Sequence, residues 1–408
     1  MRVLWLAAAA SCAALAACAT ATPGQTGATV TATASPVTSG RASGAPGPET
    51  ACRSGQGRGA PAGSLPAGLT GVQFVSLRQG WAVGGDRILA TSDGGAHWQV
   101  QDRGRLGLTS LDFINGSDGW AVGRGRVLVT TDGGAHWHAL PEPCPLIDAV
   151  HFVSPSVGFA VAGGTVPGGP VVGGPPVPPR NGVLLATGDG GRAWHRVHAP
   201  ADVQSACFTG PVRGWAGAHG RLYRTVDGGT TWALATAGVG GAGGQPYLMT
   251  VQCAGPDAAW ALDLGTGAAL SHAPVVGYHA GPEGAKAIFA EQYFPHPGVS
   301  VTAGAPGTYP GPLSAIGPGT AVVIGWCPPC GYGTAPWDLL TRSGAVITSR
   351  GNVGGLTEAA GASFLTPRLG WVVGADYLPG RSRPVQRQRI VKTTDGGHSW
   401  QNEYSYRP

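Results

Sequence analysis

From about residue 69 onward, apolar stretches of four to six residues alternate with polar or glycine-bearing breaks. In one span, SLDFI (110–114), GWAVG (119–123), RVLVTT (126–131) and WHAL (137–140) are apolar or β-branched, separated by NGSD, a Gly-bearing turn and DGGA. Runs this short, bounded by turn residues, predict β-strands joined as hairpins.

The four-strand pattern repeats. GWAVGGDRILATSDGGAHW (80–98) returns as GWAVGRGRVLVTTDGGAHW (119–137), GFAVAGG…GVLLATGDGGRAW (158–194), GWAGAHGRLYRTVDGGTTW (214–232) and GWVVGAD…RIVKTTDGGHSW (370–400). Two degenerate copies, GPDAAWALDLG (255–265) and GPGTAVVIGWC (317–327), fill the gap between them. The aligned residues Trp81, Trp120, Phe159, Trp215, Trp260, Val322 and Trp371 define seven units, and ten of the twelve tryptophans beyond residue 18 fall at two repeat positions. Four short antiparallel strands per unit of about 40–45 residues predict propeller blades. A single unit cannot bury both of its faces, so closing the units into a ring is the physical solution. The expected fold is all-β: a seven-bladed β-propeller of four-stranded antiparallel blades over residues 67–408.

The turn T-x-D-G-G-x-x-W resembles the Asp-box of the BNR repeat family, found in sialidases, sortilin-type receptors and photosystem II assembly propellers. Its copies centre on Asp93, Asp132, Asp189, Asp227 and Asp395, with Trp98, Trp137, Trp194, Trp232 and Trp400 closing each box. An Asp in a tight turn accepts backbone N–H bonds, and the Gly pair permits positive φ. The resemblance implies a structural box, with the Trp packed back over its hairpin. The GWAVG form is most similar to the photosystem II assembly and stability factor propellers, a family of WD40- and YVTN-like ring architecture. The box is missing from units five and six.

Residues 1–17 combine one Arg, a short apolar run and small terminal residues, which predicts an export signal. Leu15-Ala16-Ala17-Cys18 resembles a bacterial lipobox, which implies a diacylglycerol on Cys18 and attachment to the outer side of the cell membrane. Residues 18–66, rich in Ala, Thr, Ser, Pro and Gly, carry no sustained apolar period and are expected to be a disordered tether. No later segment offers the ~18 uninterrupted apolar residues of a membrane span.

Composition refines this picture. Gly (71) and Pro (35) make up about a quarter of the 408 residues and only 12% are charged, which excludes coiled coils and charged disordered tails. Lys286 and Lys392 are the only lysines, an Arg-, Ala- and Gly-biased usage that points to a high-GC bacterial genome. The net charge of +5 is diffuse, so no nucleic-acid partner is expected, and no cofactor or metal motif is visible.

Strand alternation sends turns one–two and three–four of every blade to one face, with the Asp-boxes. The long segments Thr165–Arg180, Trp326–Asp338 and Ala375–Gln388 each follow a second strand, and Ala273–Pro310 is read as a connection between blades five and six. All four therefore open on the opposite face, where binding insertions of repeat proteins concentrate. Candidate partner contacts there are Arg381, Arg383, Arg387, Arg389 and Lys392, a run without an acid that suits an anionic protein, a lipid headgroup or a wall polymer, together with Trp326 and Trp337.

Six cysteines beyond Cys18 (52, 144, 207, 253, 327 and 330) allow fifteen disulfide pairings. Cys253 aligns with Phe113 and Cys207 with its neighbour Asp112, so the two point to opposite faces of equivalent strands in consecutive blades. A favourable handedness would bring them together. Cys327 and Cys330, in Trp-Cys-Pro-Pro-Cys, look like a thioredoxin-type WCxxC motif, but the following GYGTAPW cannot start the required helix, and a local cystine is expected.

Three function classes follow. A lipid-tethered, non-catalytic scaffold for a protein or envelope-glycan partner fits the whole chain best. A sialidase-like glycosidase would need three substrate-binding arginines, a Tyr–Glu pair and Arg-Ile-Pro. This chain has Arg-Ile-Leu (87–89) and Arg-Ile-Val (389–391), and of Glu49, Glu142, Glu283, Glu291, Glu358 and Glu403 only Glu358 is a candidate for an inner strand. Paired carboxylates of glycoside chemistry are not identifiable. A thiol–disulfide protein using Cys327 and Cys330 is the third. Neither the partner nor the oligomeric state is legible, and the ring could close by packing alone or by a clip near Cys52.

Overall fold

The computed structural model describes residues 68–407 apart from 105, 124–125, 142–146, 164–181, 237–245, 266–274, 292–308, 327–336, 342–345, 348–352 and 379–384. The described residues form seven four-stranded antiparallel sheets, each built from four strands consecutive in the chain. Blade one is β1 (Leu69–Phe74), β2 (Gly80–Gly84), β3 (Arg87–Thr91) and β4 (Gln99–Arg103). Blade two is β5 (Ser110–Phe113), β6 (Gly119–Gly123), β7 (Arg126–Thr130) and β8 (His138–Leu140). Blade three is β9 (Ile147–Phe152), β10 (Gly158–Ala162), β11 (Val183–Thr187) and β12 (His195–Val197). Blade four is β13 (Val203–Phe208), β14 (Gly214–Ala218), β15 (Arg221–Thr225) and β16 (Ala233–Leu234). Blade five is β17 (Pro246–Cys253), β18 (Ala259–Gly265), β19 (Val275–Gly281) and β20 (Gly284–Glu291). Blade six is β21 (Tyr309–Gly317), β22 (Thr320–Trp326), β23 (Trp337–Thr341) and β24 (Val346–Ile347). Blade seven is β25 (Glu358–Phe364), β26 (Gly370–Leu378), β27 (Val385–Thr393) and β28 (Gln401–Tyr406). First strands neighbour first strands around the ring, and β25 returns to β1, so the sheets close a seven-bladed propeller with the first strands innermost.

An aromatic stack joins consecutive blades. Trp81 lies 3.6 Å from Phe113, Trp120 3.6 Å from Phe152, Phe159 3.4 Å from Phe208 and Trp371 3.5 Å from Phe74, with near-parallel rings. The Asp-box Trp of the second blade then meets the same Phe edge-on, as Trp98 does Phe74 and Trp137 does Phe113. The indole N–H groups of Trp81, Trp120 and Trp371 donate to Gly133, Gly190 and Gly94 of the next blade's box. Where a Phe ring lies alongside, the glycine before the Trp is required by space: a Cβ at Gly119 would stand 2.3 Å from the Phe113 ring, and one at Gly370 2.2 Å from Phe364.

A second link runs through the strand-one residue that pairs with the Trp position. The Gln73 amide accepts from Phe113 N and donates to Phe113 O. Asp112 accepts from Phe152 N, and His151 Nε2 donates to Phe208 O at 2.6 Å. Gln252 bonds Leu313 O and Ala315 N, Ser314 accepts from Phe364 N, and Ser363 accepts from Phe74 N. At the remaining interface the same position is Cys207, which faces Cys253 with Cα atoms 5.6 Å apart. Six interfaces are thus hydrogen-bonded at one level, and at the seventh the adjoining Gln204 accepts from Met249 N at 2.8 Å.

No strand is exchanged between blades one and seven. Their junction carries the repeated contacts plus three of its own. Leu69 N donates to Gln388, Lys392 Nζ donates to Gly94 O at 2.8 Å, and the Arg87 guanidinium lies 3.3 Å over the Tyr406 ring while it pairs with Asp86.

Each Asp-box is an identical knot. The Thr130 hydroxyl donates to Asp132 and accepts from Gly134 N, while Asp132 also accepts from His136 N at 3.0 Å. The knot recurs at Asp93, Asp189, Asp227 and Asp395 with Thr91, Thr187, Thr225 and Thr393. Gly133 and Gly134 take φ of 73° and 91°, a region that L side chains avoid.

Two expectations are corrected. The stretch Ala273–Pro310 is not one long connection: Val275–Gly281 and Gly284–Glu291 are the outer strands of blade five, turned through Pro282 and Glu283. Ala375–Gln388 is not a loop either. β26 and β27 continue as a ladder through Ala375↔Gln388, Asp376↔Arg387 and Leu378↔Val385, because the flanking residues are β-formers and Asp376 pairs with Arg387 across the strands.

Because a methyl added at Gly119 has nowhere to go, Gly119→Ala should lower stability by about 2 kcal/mol in urea unfolding. Gly281→Ala, with open space at its Cβ, should change it by less than about 0.5 kcal/mol. A second prediction concerns acid. Backbone N–H donation by His97 and His136 holds Asp93 and Asp132 well below the ordinary carboxylate range, and the Ser399 hydroxyl does the same for Asp395. Groups depressed in the fold bind protons more readily once unfolded, so their stabilisation is complete above pH ~4 and is lost as pH falls further. Tm should drop between pH 4 and 2, and Asp132→Asn should flatten that slope; an unchanged slope would remove the box from acid stability.

Candidate functional site

The two faces of the ring are built differently. On the Asp-box face the first-to-second-strand turns are short and internally bonded, as where Asn115 Oδ1 accepts from Ser117 N and Asp118 N. On the opposite face, β2–β3, β6–β7 and β14–β15 are joined by two residues each, the tightest hairpin connection. In blades three, five, six and seven the same strands are joined through 163–182, 266–274, 327–336 and 379–384, and 292–308 leads from blade five to blade six. Every long connection between described strands that follows a second strand therefore leaves this one face.

The candidate partner contacts divide. Trp326 ends β22 and Trp337 begins β23, while Arg381, Arg383, Cys327 and Cys330 lie outside the described residues. Arg387, Arg389 and Lys392 are strand residues with partners, not members of an acid-free loop. Arg387 pairs with Asp376, and Arg389 donates to Asn402 Oδ1 and Gly354 O at 2.8 Å each. Lys392 bonds Gly94 and lies 5.5 Å from the Trp371 ring centre. Arg387 and Arg389, two residues apart, leave β27 on one face and Lys392 on the other, and all three are taken up by a neighbouring strand or turn.

The candidate catalytic groups are dispersed. Glu358 opens the inner strand β25, Glu291 and Glu403 lie on the outer strands β20 and β28, and Glu283 sits in the β19–β20 hairpin. Glu49 and Glu142 are outside the described residues. Arg87, of Arg-Ile-Leu, is committed to Asp86, and Tyr404 and Tyr406 cover it.

Among the buried acids, Asp112 and Asp263 stand out, and neither is announced by the sequence. Asp112 on β5 takes Phe152 N–H with His151 Nδ1 3.8 Å away; burial pushes its carboxyl up while the His151 charge opposes the shift. His151 Nε2 is already spent on Phe208 O, so this Asp–His pair is a blade-to-blade link and not a free general base. Asp263 on β18 is 1% exposed, and neither oxygen has a hydrogen-bond partner. The only sequence signal for either is an Asp inside an apolar strand. Among the described residues no three His, Cys, Asp or Glu side chains gather as a metal site.

Residues 64–143 and 105–245, which span the first four blades, match the family described as Photosynthesis system II assembly factor YCF48. No curated protein matches the sequence. Among solved structures, YCF48 from Cyanidioschyzon merolae is 16% identical at a TM-score of 0.42, covering 72% of this chain and 84% of that one. The GH74 xyloglucanase from Xanthomonas campestris is 10% identical at a TM-score of 0.51, covering 83% and 68%, and U3-55K is 9% identical at 0.51, covering 79% and 93%. Identities this low show the shared fold alone. With its seven blades, its repeated Asp-boxes and the family match over residues 64–245, the chain is a BNR-type propeller similar to the photosystem II assembly factor family.

Proposed function

We propose that this protein is an exported, lipid-tethered propeller that serves as a non-catalytic binding or assembly scaffold, presenting the face of long connections to a protein or envelope-glycan partner. The asymmetry of the ring carries this reading: one face is closed by repeated knots, whereas the strand ends of blades three, five, six and seven on the other are spanned by long segments. Loops on a rigid frame are where recognition concentrates. The family match over blades one to four adds support, since its description is that of an assembly factor. Diacylglycerol on Cys18 would hold the ring at the outer membrane surface, with each buried CH₂ contributing about 0.8 kcal/mol. Arg381, Arg383, Trp326 and Trp337 are the proposed contacts; Arg387, Arg389 and Lys392 support the frame. Cys207 and Cys253, whose separation suits a bridge, are proposed to be oxidised to a disulfide in this exported chain.

Crosslinking capture from membranes tests the scaffold. Replacing residues 379–384 with Asn-Gly spares β26 and β27 and should remove specific partners; an unchanged partner set would exclude this segment. Turnover of a fluorogenic sialoside or xyloglucan oligosaccharide by the purified protein would replace the scaffold with an enzyme, and none is expected. Cys18→Ser should move the protein from the membrane to the soluble fraction and abolish labelling with a palmitate analogue. Peptide mapping without reductant should recover residues 207 and 253 in one linked peptide; either cysteine free would sink the disulfide.

A further inference from the structure

Six of the seven interfaces join blades that are consecutive in the chain, so a covalent connection spans each of them. Blades seven and one carry the two ends of the ring, β28 and β1, and no connection spans their interface. When an interface opens, a connection across it keeps the separated edges near one another and limits the entropy they gain. The blade seven–one interface lacks that restraint, so noncovalent contacts alone must hold it.

The last strand supplies contacts of its own kind there. At the start of the third strand, Arg126 of blade two and Arg221 of blade four are exposed, whereas Arg87 of blade one is 7% exposed. The difference is β28. Its Tyr406 ring lies 3.3 Å from the Arg87 guanidinium, and Arg87 Nη1 donates to the Tyr404 hydroxyl at 3.3 Å. The Tyr406 hydroxyl lies 3.5 Å from Asp86, which pairs with Arg87 at 2.7 Å. Both tyrosines also pack on the cluster that joins Leu69, Phe74 and Leu89 of blade one to Trp371 and Ile390 of blade seven. A cation held over a ring gains most where water is excluded. Among the described residues no other outer strand places an aromatic ring over a cation of the next blade.

The two ends of the ring meet at Gln388. It pairs with Tyr406 in the ladder, and its buried side chain accepts from Leu69 N at 3.0 Å. Gly68 leaves it room, since a Cβ there would stand 2.4 Å from Gln388 Oε1.

We propose that β28 is a strap that shuts the ring: Tyr404 and Tyr406 clasp Arg87 and Asp86, and when the strap lets go the ring parts between blades seven and one. The other contacts at this interface are of kinds that recur around the ring. The Phe74–Trp371 stack and the Ser363 link to Phe74 N have counterparts at interfaces that also own a chain connection. Lys392 on Gly94 O is matched by Arg224 on Asp257 and His279 on Pro318 O, each opposite its blade's Trp. The strap belongs to the frame and acts whatever the face of long connections binds.

Hydrogen exchange of the full chain, followed by mass spectrometry, tests the strap. Tyr406→Ala should raise the opening of peptides from β1, β2, β3 and β27 about tenfold. Peptides from blades three and four should stay within about twofold of the unsubstituted chain. Tyr406→Phe keeps a ring beside Arg87 and should exchange like the unsubstituted chain. Added to Tyr406→Ala, Arg87→Ala should open the junction little further, because the two residues share one contact. Where Tyr406→Ala yields no folded protein, Tyr406→Leu fills the same apolar space without a ring for the cation, and the same local opening is expected. Exchange unchanged by Tyr406→Ala or Tyr406→Leu, opening spread evenly over the seven blades, or earliest opening at another interface would overturn the strap. So would a Tyr406→Phe chain as open as Tyr406→Ala.

Discussion

The ring depends on what happens to the inner edge of each first strand. A blade of four strands leaves that edge with N–H and C=O groups that no fifth strand pairs, and buried orphans of this kind are rare because each carries a desolvation cost. Here the edge is satisfied from the side. One residue of the preceding blade, always the one that pairs with the Trp position, reaches over to the strand-one backbone of the next blade, at Phe113, Phe152, Phe208, Ala315, Phe364 and Phe74. Each such bond stabilises by only about 1 kcal/mol. Their common level makes them act together, because a blade cannot swing out without breaking the links on both sides.

The chemistry of that link is free to vary because only its reach is constrained. Gln73 and Gln252 answer both a donor and an acceptor, Ser314 and Ser363 only accept, Asp112 accepts under burial, and His151 donates. Cysteine fills the seventh place, facing another cysteine. The aromatic stack beside the link is less tolerant. Its Phe ring lies against the glycine of Gly-Trp, so the dipeptide is kept by shape: a methyl at Gly80, Gly119, Gly158, Gly214 or Gly370 would strike a ring.

This difference explains what the amino-acid pattern revealed. Where the stack is built its rings and glycines are fixed, so Gly-Trp or Gly-Phe and Asp-Gly-Gly announce five units and their turn knots. Blades five and six, with Ala259-Trp260 and Ala321-Val322, are read only as degenerate copies. The parity of Cys207 and Cys253 is equally legible, since a strand has period two and two cysteines one register apart must face opposite ways. The linking residues Gln73, Asp112, His151, Gln252, Ser314 and Ser363 share no side-chain type, and no repeat search on identity can find them. The outer strands of blade five escape notice because their hairpin turns on Pro282 and Glu283 in place of an Asp-box. The cations of β27 read as a surface patch because their partners, Gly94, Gly354, Asp376 and Asn402, are remote in sequence or on another strand.

Rigidity and variability are thereby assigned to separate parts of the molecule. The Asp-box face is locked at the turns of five blades, with Thr hydroxyls and Asp carboxylates spent on their own backbone. The links at the inner edge hold blade to blade without using any residue of the opposite face. Connections on that face can lengthen without disturbing either set, as happens between β10 and β11 and between β22 and β23. A ring built this way offers recognition a fixed frame with interchangeable contacts.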